Sequence, residues 1–164
     1  MKDSCRAFMV IWTIEVQCQY KLSTECFQLA IHILNQFLST MPISTSRLHL
    51  LNLTAVHMAA KIEEVAPPGL KKLMAVSEGK FSRKDVREME HQILYNLEFN
   101  FNVPTTFTYL QIYCKWGGFD NRKFFFAQYL TELSMVSDRL MRFGPSELAA
   151  ACLILTLLYL DTES

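Results

Sequence analysis

The chain has 164 residues, of which 51% are hydrophobic and 20% are charged, and its 16 basic residues balance its 16 acidic ones. This composition is typical of a globular protein and excludes a disordered chain. A net charge of zero gives no general attraction to nucleic acid or to anionic lipid. We therefore expect neither nucleic acid nor a membrane as a partner.

Motifs of common enzymes and metal sites are absent from the sequence. The five cysteines are scattered, and no spacing of cysteine and histidine fits a zinc site. The patterns GxSxG, GxxxxGKS/T, HExxH and GxGxxG, which mark nucleophilic serines, phosphate loops, zinc proteases and dinucleotide sites, do not occur. We therefore expect a protein that is not an enzyme and that holds no cofactor and no metal.

Apolar residues recur at helical spacing from the start of the chain. Phe8, Trp12 and Val16 lie four positions apart and predict one face of a first helix. Ser23 is a good N-cap for a second helix, which a Met-Pro pair at Pro42 ends. Trp12 is predicted to be a core residue, with a surface binding patch as the alternative.

Three more helices are predicted before residue 100. One runs from about residues 44–46 to Glu64 and is apolar on almost every side, which places it inside a bundle. A short helix follows over Leu70–Val76. Ser82, with Asp85 three positions later, resembles a capping box and opens a fifth helix.

The second half of the chain repeats this plan. A helix from Thr105 to Lys115 ends at two glycines, and the next begins at Asp120 or Asn121. A last helix, Ser146–Leu160, follows a proline and is again apolar on every side. An amphipathic helix followed by a fully apolar one therefore occurs twice, which suggests an internal repeat.

Glu90 is a charged residue on an apolar helix face, since Val86 and Leu94 flank it at helical spacing. A buried carboxylate needs a partner, and loss of that partner costs about 3–5 kcal/mol. Lys61, near the C-terminal end of the third helix, is the candidate partner. The alternative is an edge residue that bonds to solvent.

Arg6 raises a similar question at the start of the first helix, ahead of a largely apolar run. Asn35, toward the end of the second helix, is a candidate hydrogen-bonding partner for its guanidinium. The alternative is an ordinary surface arginine.

Three segments of the sequence resemble the cyclin family. Residues 48–68 end in AAKIEEVAPP and resemble the family's leucine-rich helix followed by A-A/S-K-x-E-E and P-P. Residues 81–99 contain MEHQILYNLEF and resemble its M-E-x-x-I/V-L-x-x-L-x-F. Residues 5–12, CRAFMVIW, resemble M-R-A-I-L-V/I-D-W. The similarity covers nearly the whole chain and is greatest to mitotic A- and B-type cyclins, with O-type cyclins second.

The resemblance implies an all-α cyclin fold with a complete five-helix first box and a shortened second box of about three helices. It places the N-terminal cyclin box at residues 1–100 and a partial C-terminal cyclin box at residues 101–164. It also implies a non-enzymatic regulatory subunit that binds and activates a cyclin-dependent serine/threonine protein kinase. That subunit would act in cell-cycle control and mitosis, in the nucleus and cytoplasm.

Site residues follow from the same resemblance. The kinase-binding positions are Lys61, Glu90 and Glu64. The family's docking patch, which holds Arg-x-Leu motifs of substrates or inhibitors, corresponds to Cys5, Phe8, Trp12, Glu15, Leu48 and His49. The structural positions are Arg6, Asn35 and Leu50.

The chain departs from the family pattern at several of these positions. Asn35 stands where the family has an aspartate, so an ion pair becomes a weaker bond to a neutral acceptor. Cys5 and His49 replace the methionine and glutamine of the docking patch, which puts docking specificity in question. The alternative function is a cyclin-fold protein that resembles a transcription factor and binds DNA, but the zero net charge weighs against it.

The last predicted helix should lack part of its cover. In the family, two further helices of the second box help to enclose its counterpart. We therefore expect Ile154, Leu157 and Leu158 to be partly exposed, and the isolated chain to be poorly soluble or prone to form dimers.

Overall fold

The computed structural model describes residues 3–161, with side chains from residue 5 to residue 160, and these residues form α-helices without a strand. The first of two compact units, Met1–Val103, contains α1 (Asp3–Tyr20), α2 (Thr24–Thr40), α3 (Thr45–Glu63), α4 (Leu70–Val76) and α5 (Arg83–Asn96). The second unit, Pro104–Ser164, contains α6 (Thr106–Gly117), α7 (Asn121–Ser134), a 3-10 turn (Leu140–Arg142) and α8 (Pro145–Asp161). The predicted all-α fold of five helices followed by three is confirmed.

Side-chain caps set the starts of α2, α5, α6 and α7. The Ser23 hydroxyl accepts a hydrogen bond from the backbone N–H of Cys26 at 3.1 Å, at the start of α2. Ser82 and Asp85 form the predicted capping box of α5, because each side chain accepts from the backbone N–H of the other, at 3.2 and 2.7 Å. These bonds satisfy backbone N–H groups that a helix leaves unpaired in its first turn. Short polar motifs in the sequence therefore determine where these helices begin.

Helix α3 lies at the centre of the first unit, where α1, α2, α4 and α5 pack against it. Every residue from Leu50 to Val56 is buried, and because a helix turns once in 3.6 residues, this run covers all of its sides. The polar residues in the run are hydrogen-bonded: Asn52 Nδ2 donates to the Met9 carbonyl at 3.0 Å, and Thr54 Oγ1 donates to the Leu50 carbonyl at 2.7 Å. The prediction of an internal helix is confirmed.

Helix α8 packs against α6 and α7 in the second unit. Its inner side joins a core made of Phe107, Leu110, Cys114, Ala127, Ala149 and Leu153. Its outer side is open, since Ile154 is 57% and Leu158 62% exposed and Leu157 is half-buried. The expected lack of cover at these three residues is confirmed. Among the described residues, no helix is long and apolar enough to cross a bilayer.

Gly117, the last residue of α6, and Gly118, its C-cap, have different roles in ending the helix. Gly118 is left-handed, with φ of 63°, and its N–H donates to the Cys114 carbonyl as the helix cap, a conformation that glycine adopts without strain. A Cβ atom at Gly117 would meet the Phe119 ring at 2.3 Å. The chain therefore folds back over α6 because both positions lack a side chain.

Candidate functional site

The C-terminal end of α3 meets the middle of α5 through an ion pair. Lys61 Nζ binds Glu90 Oε1, so the predicted partner of this carboxylate is confirmed. The side chains of Lys61 and Glu90 are 43% and 20% exposed. Glu90 is therefore at the edge of the apolar face rather than buried in it, and the pair remains accessible from outside the bundle.

His57 lies one turn before Lys61 on α3 and is half-buried. Its Nδ1 is buried and has no hydrogen-bond partner within the part of the chain that the structure describes. Burial and the charge of Lys61 lower the pKa of His57, whereas Glu90 opposes them. At neutral pH the imidazole is therefore neutral and leaves the charges of the ion pair unchanged.

Large apolar side chains near the ends of α3 and α5 are exposed. Ile62, beside Lys61, is 49% exposed, and Tyr95 and Phe99 are 74% and 64% exposed. The rings of Tyr95 and Phe99 contact edge to face, with centroids 6.3 Å apart. Exposed aromatic residues of this kind are typical anchors of protein interfaces.

Backbone geometry holds Phe99 in its exposed position. Glu98 and Phe99 have φ of 48° and 59°, a left-handed conformation that costs a residue with a side chain about 1–2 kcal/mol. The Phe99 N–H donates to the Leu94 carbonyl at 3.1 Å and closes the end of α5. Helical spacing does not single out Ile62, Tyr95 or Phe99, because it marks only the apolar face that a helix turns toward the core.

Glu64 has a defined internal contact. Its Oε1 accepts hydrogen bonds from the backbone N–H and the hydroxyl of Ser23, at 2.7 and 2.8 Å. These bonds join the end of α3 to the start of α2. Burial, together with Glu64 and Glu63, raises the pKa of the nearby Cys26 thiol to about 12, so that thiol stays protonated. A kinase contact by Glu64 stays a prediction.

Arg6 is buried in the first unit and contacts α2. Its Nε donates to Asn35 Oδ1 at 2.8 Å, which confirms the predicted partner, and only 5% of Arg6 is exposed. The alternative of a surface arginine is therefore wrong. The bond joins the N-terminal part of α1 to the C-terminal part of α2.

The six residues assigned to a docking patch differ in accessibility. Phe8 is 59% exposed and Glu15 is exposed, whereas Cys5 and His49 are half-buried. Trp12 and Leu48 are buried, at 7% and 3% exposure. The prediction of Trp12 as a core residue is confirmed, because α1 turns this side chain toward α3. Its place in the docking patch stays a prediction.

His49 lies between aromatic rings beneath this surface. Its ring centroid is 4.8 Å from that of Trp12 and 5.8 Å from that of Phe81. Its Nε2 is buried without a hydrogen-bond partner among the described residues. Burial and Lys80 lower the pKa of His49, and Glu78 opposes this shift. The side chain is thus a neutral polar group at the edge of the patch.

The fold and site define a helical protein of two consecutive boxes, the first with an accessible Lys–Glu pair. Residues 1–102 match the family model for the cyclin N-terminal domain, and residues 104–164 match that for the cyclin C-terminal domain. The chain belongs to the cyclin family.

Curated relatives are mitotic and A-type cyclins, as the resemblance predicted. The chain is 35% identical to G2/mitotic-specific cyclin-B of Dictyostelium discoideum over 92% of its length and 35% of that protein. It is 34% identical to G2/mitotic-specific cyclin-B2 of Anguilla japonica over 99% of the chain and 41% of the relative. For mouse Cyclin-A1 the identity is 35% over 91% of the chain and 36% of the relative. The chain thus spans about 35–41% of these relatives' length.

Solved structures share the fold at low sequence identity. A viral cyclin from herpesvirus saimiri matches with a TM-score of 0.85 and 18% identity, over 96% of this chain and 70% of the other. A chain of the yeast RNA Pol II CTD kinase CTDK-1 complex matches with a TM-score of 0.83 and 13% identity, over 97% of this chain and 56% of the other. The predicted cyclin fold is confirmed.

Proposed function

We propose that this cyclin is the regulatory subunit of a cyclin-dependent serine/threonine protein kinase, which it binds and activates in cell-cycle control. The observation that carries the proposal is the accessible Lys61–Glu90 pair, at the positions of the family's kinase-binding pair. The exposed Ile62, Tyr95 and Phe99 add apolar area at the ends of the same two helices. A charged anchor with aromatic neighbours fits a protein interface.

In this mechanism the kinase performs the chemistry and the cyclin contributes no catalytic group. A protein kinase needs an ion pair between its β3 lysine and its C-helix glutamate before the phosphates are correctly placed. A partner that binds only the helix-in state shifts the population toward that state. A change from 1:99 to 99:1 requires about 5.5 kcal/mol of differential binding, which an interface with a few anchors supplies.

We also propose that the surface around Phe8 recruits substrates or inhibitors with Arg-x-Leu motifs. Phe8 offers an exposed apolar contact for the leucine of such a motif. Glu15, two turns further along α1 and also exposed, offers a carboxylate to its arginine. The half-buried Cys5 and His49 form the edge of this surface, and Trp12 supports it from beneath.

Kinase activation tests the main proposal. The purified chain is mixed with candidate cyclin-dependent kinases, and histone phosphorylation and complex formation are measured for wild type, Lys61→Ala and Glu90→Ala. We expect either substitution to reduce activation at least about 100-fold, because each removes one charge of an anchoring pair. Circular dichroism should show unchanged helical content.

The matched control is a second ion pair on α5. Lys84 and Glu88 are 3.8 Å apart and mostly exposed, so Lys84→Ala should leave activation unchanged. Full activation by both Lys61→Ala and Glu90→Ala would overturn the mechanism. The location in nucleus and cytoplasm stays a prediction, which imaging of the tagged protein checks.

Paired substitutions test the docking surface. Phe8→Ala should weaken phosphorylation of Arg-x-Leu substrates more than that of short peptides without the motif, with no loss of stability. Trp12→Ala should instead lower the free energy of unfolding by about 3–5 kcal/mol, because Trp12 is buried. Equal loss on both substrates with Phe8→Ala would exclude a docking role.

A further inference from the structure

Helix α5 carries three acidic side chains, and each of them is engaged within the first unit. Asp85 forms the capping box at the start of the helix. Glu88 Oε1 lies 3.8 Å from Lys84 Nζ, and Glu90 binds Lys61 at the end of α3. The negative charges of α5 therefore already have partners inside the protein.

The two arginines of the same helix have no such partner. Arg83 and Arg87 are exposed, and neither forms an ion pair or a side-chain hydrogen bond within the part of the chain that the structure describes. They lie four positions apart, one helical turn, so their like charges repel each other. An anionic group from outside the unit would relieve this repulsion, and carboxylates are groups that a guanidinium binds through two parallel hydrogen bonds.

Both arginines lie on the side of α5 that carries Glu90. Residues three, four or seven positions apart share one side of a helix, and Arg87 and Arg83 precede Glu90 by three and seven positions. Lys84 and Glu88 precede it by six and two positions, which places their ion pair on another side. The unpaired arginines are therefore continuous with the accessible ion pair of Glu90.

Other acidic residues near this surface lie toward α2 or at a distance. Glu64 accepts hydrogen bonds from the N-cap residue of α2. Burial and the charge of Glu25 raise the pKa of Glu63, which places Glu63 near the start of α2. Glu98 follows Arg87 by eleven positions, about 16 Å along the helix axis, which exceeds the screening length of about 8 Å at physiological salt. The surface beside Glu90 is therefore locally positive, although the net charge of the chain is zero.

We propose that Arg83 and Arg87 dock an acidic segment of the bound kinase, made of aspartate or glutamate residues, beside the Lys61–Glu90 pair. This contact rests on the proposed kinase-binding function and gives the chemistry of the surface that the kinase presents there. The positive charge attracts such a segment before contact, which raises the association rate. The two arginines therefore favour kinases that carry carboxylates at this place over kinases that do not.

Binding of the whole 164-residue chain to the candidate kinase that it activates tests the proposal. Affinity and association rate are measured for wild type and for the double variant Arg83→Gln with Arg87→Gln, at about 50, 150 and 500 mM salt. We expect the double variant to bind at least about 10-fold more weakly at about 50 mM salt, mostly through slower association. The difference should fall below about 2-fold at about 500 mM salt, where charges are screened. Both positions are exposed, so helical content should be unchanged.

Two further variants separate the role of the arginines from net charge and from side-chain shape. Lys80→Gln with Lys84→Gln also removes two positive charges, but each of these lysines is paired with a glutamate, so binding should change by less than about 2-fold. Arg83→Lys with Arg87→Lys keeps both charges and loses the two-bond geometry. This variant should keep the wild-type association rate and dissociate faster.

Three results would overturn the proposal. They are unchanged binding by Arg83→Gln with Arg87→Gln at about 50 mM salt, an equal loss in the lysine control, and an effect that phosphatase treatment of the kinase abolishes. The last result would assign the surface to a phosphorylated residue instead. In each case, kinase binding that Lys61→Ala abolishes would leave the proposed function intact. Full binding by both Lys61→Ala and Glu90→Ala would contradict the proposed function itself, and a wild-type chain that binds no candidate kinase would contradict both proposals.

Discussion

Helices α3 and α8 have similar sequences and different surroundings. Both are apolar on almost every side, yet four helices pack against α3, whereas within the described residues α6 and α7 pack against α8. Leu53 in α3 is fully buried, whereas Leu155 in α8 is 56% exposed. The comparison shows that an apolar sequence predicts that a helix will be covered. What covers it depends on how many neighbours the fold supplies.

The exposed apolar residues of the two units therefore differ in the contacts that they can make. In the first unit, the exposed Tyr95 and Phe99 contact each other at the end of α5, the helix that carries Glu90, which suits contact with a different protein. In the second unit they recur at helical spacing along α7 and α8, as Phe125, Tyr129 and Leu133 on α7 and Ile154, Leu155, Leu158 and Tyr159 on α8. The predictions below test this contrast.

Matched leucine truncations should give the largest difference. Leu53→Ala removes a fully buried side chain and should lower the free energy of unfolding by about 2–5 kcal/mol, because a cavity remains. Leu155→Ala should cost less than about 0.5 kcal/mol, since its side chain is exposed. Urea unfolding measures both. Equal losses would show that α8 is enclosed in solution.

Asn35→Asp should raise the stability of the first unit by about 1 kcal/mol. Arg6 Nε already donates to Asn35 Oδ1, and an ionised acceptor makes this bond about twice as strong. The gain should disappear in acid, when the new carboxylate is protonated. Asn96→Asp is the control, because Asn96 Oδ1 accepts from the Thr40 hydroxyl instead of an arginine. An equal gain there would point to a general charge effect.

Acidification should have a smaller effect, confined to the first unit. Burial lowers the pKa of His32, His49 and His57 below the ordinary value of 6.5. The unfolded chain therefore binds more protons than the folded one, so this stability is present above pH 6.5 and is lost as pH falls toward the lowered pKa values. His57→Gln should make the decline shallower.

Tryptophan fluorescence separates the two units in this titration. Trp12 reports on the first unit in Trp116→Phe, and Trp116 reports on the second unit in Trp12→Phe. The second unit contains no histidine and should show no decline between pH 6.5 and 5.5, a window set by the ordinary histidine pKa. A decline of equal size in both units would contradict the assignment to buried histidines.

Local features of the sequence predicted most of the helix boundaries. The caps at Ser23 and Ser82 need only their own first turn, so a few residues determine them. The Lys61–Glu90 pair was predictable because a carboxylate at helical spacing among apolar residues requires a partner. The exposure of Phe99 was not predictable from the sequence, because a left-handed turn at Glu98 depends on tertiary structure rather than on local preference. The partial exposure of α8 was predicted from the family resemblance and not from its own sequence, which is as apolar as that of α3.

Exchange of the two charges at the site tests the proposed kinase surface most directly. The doubly substituted chain, Lys61→Glu with Glu90→Lys, keeps an ion pair between α3 and α5 and should unfold at the wild-type temperature. In this variant a kinase would meet the two charges in exchanged positions. We therefore predict kinase activation at least about 100-fold weaker than that of wild type. Full activation by this variant would mean that the pair only joins two helices, and would contradict the account.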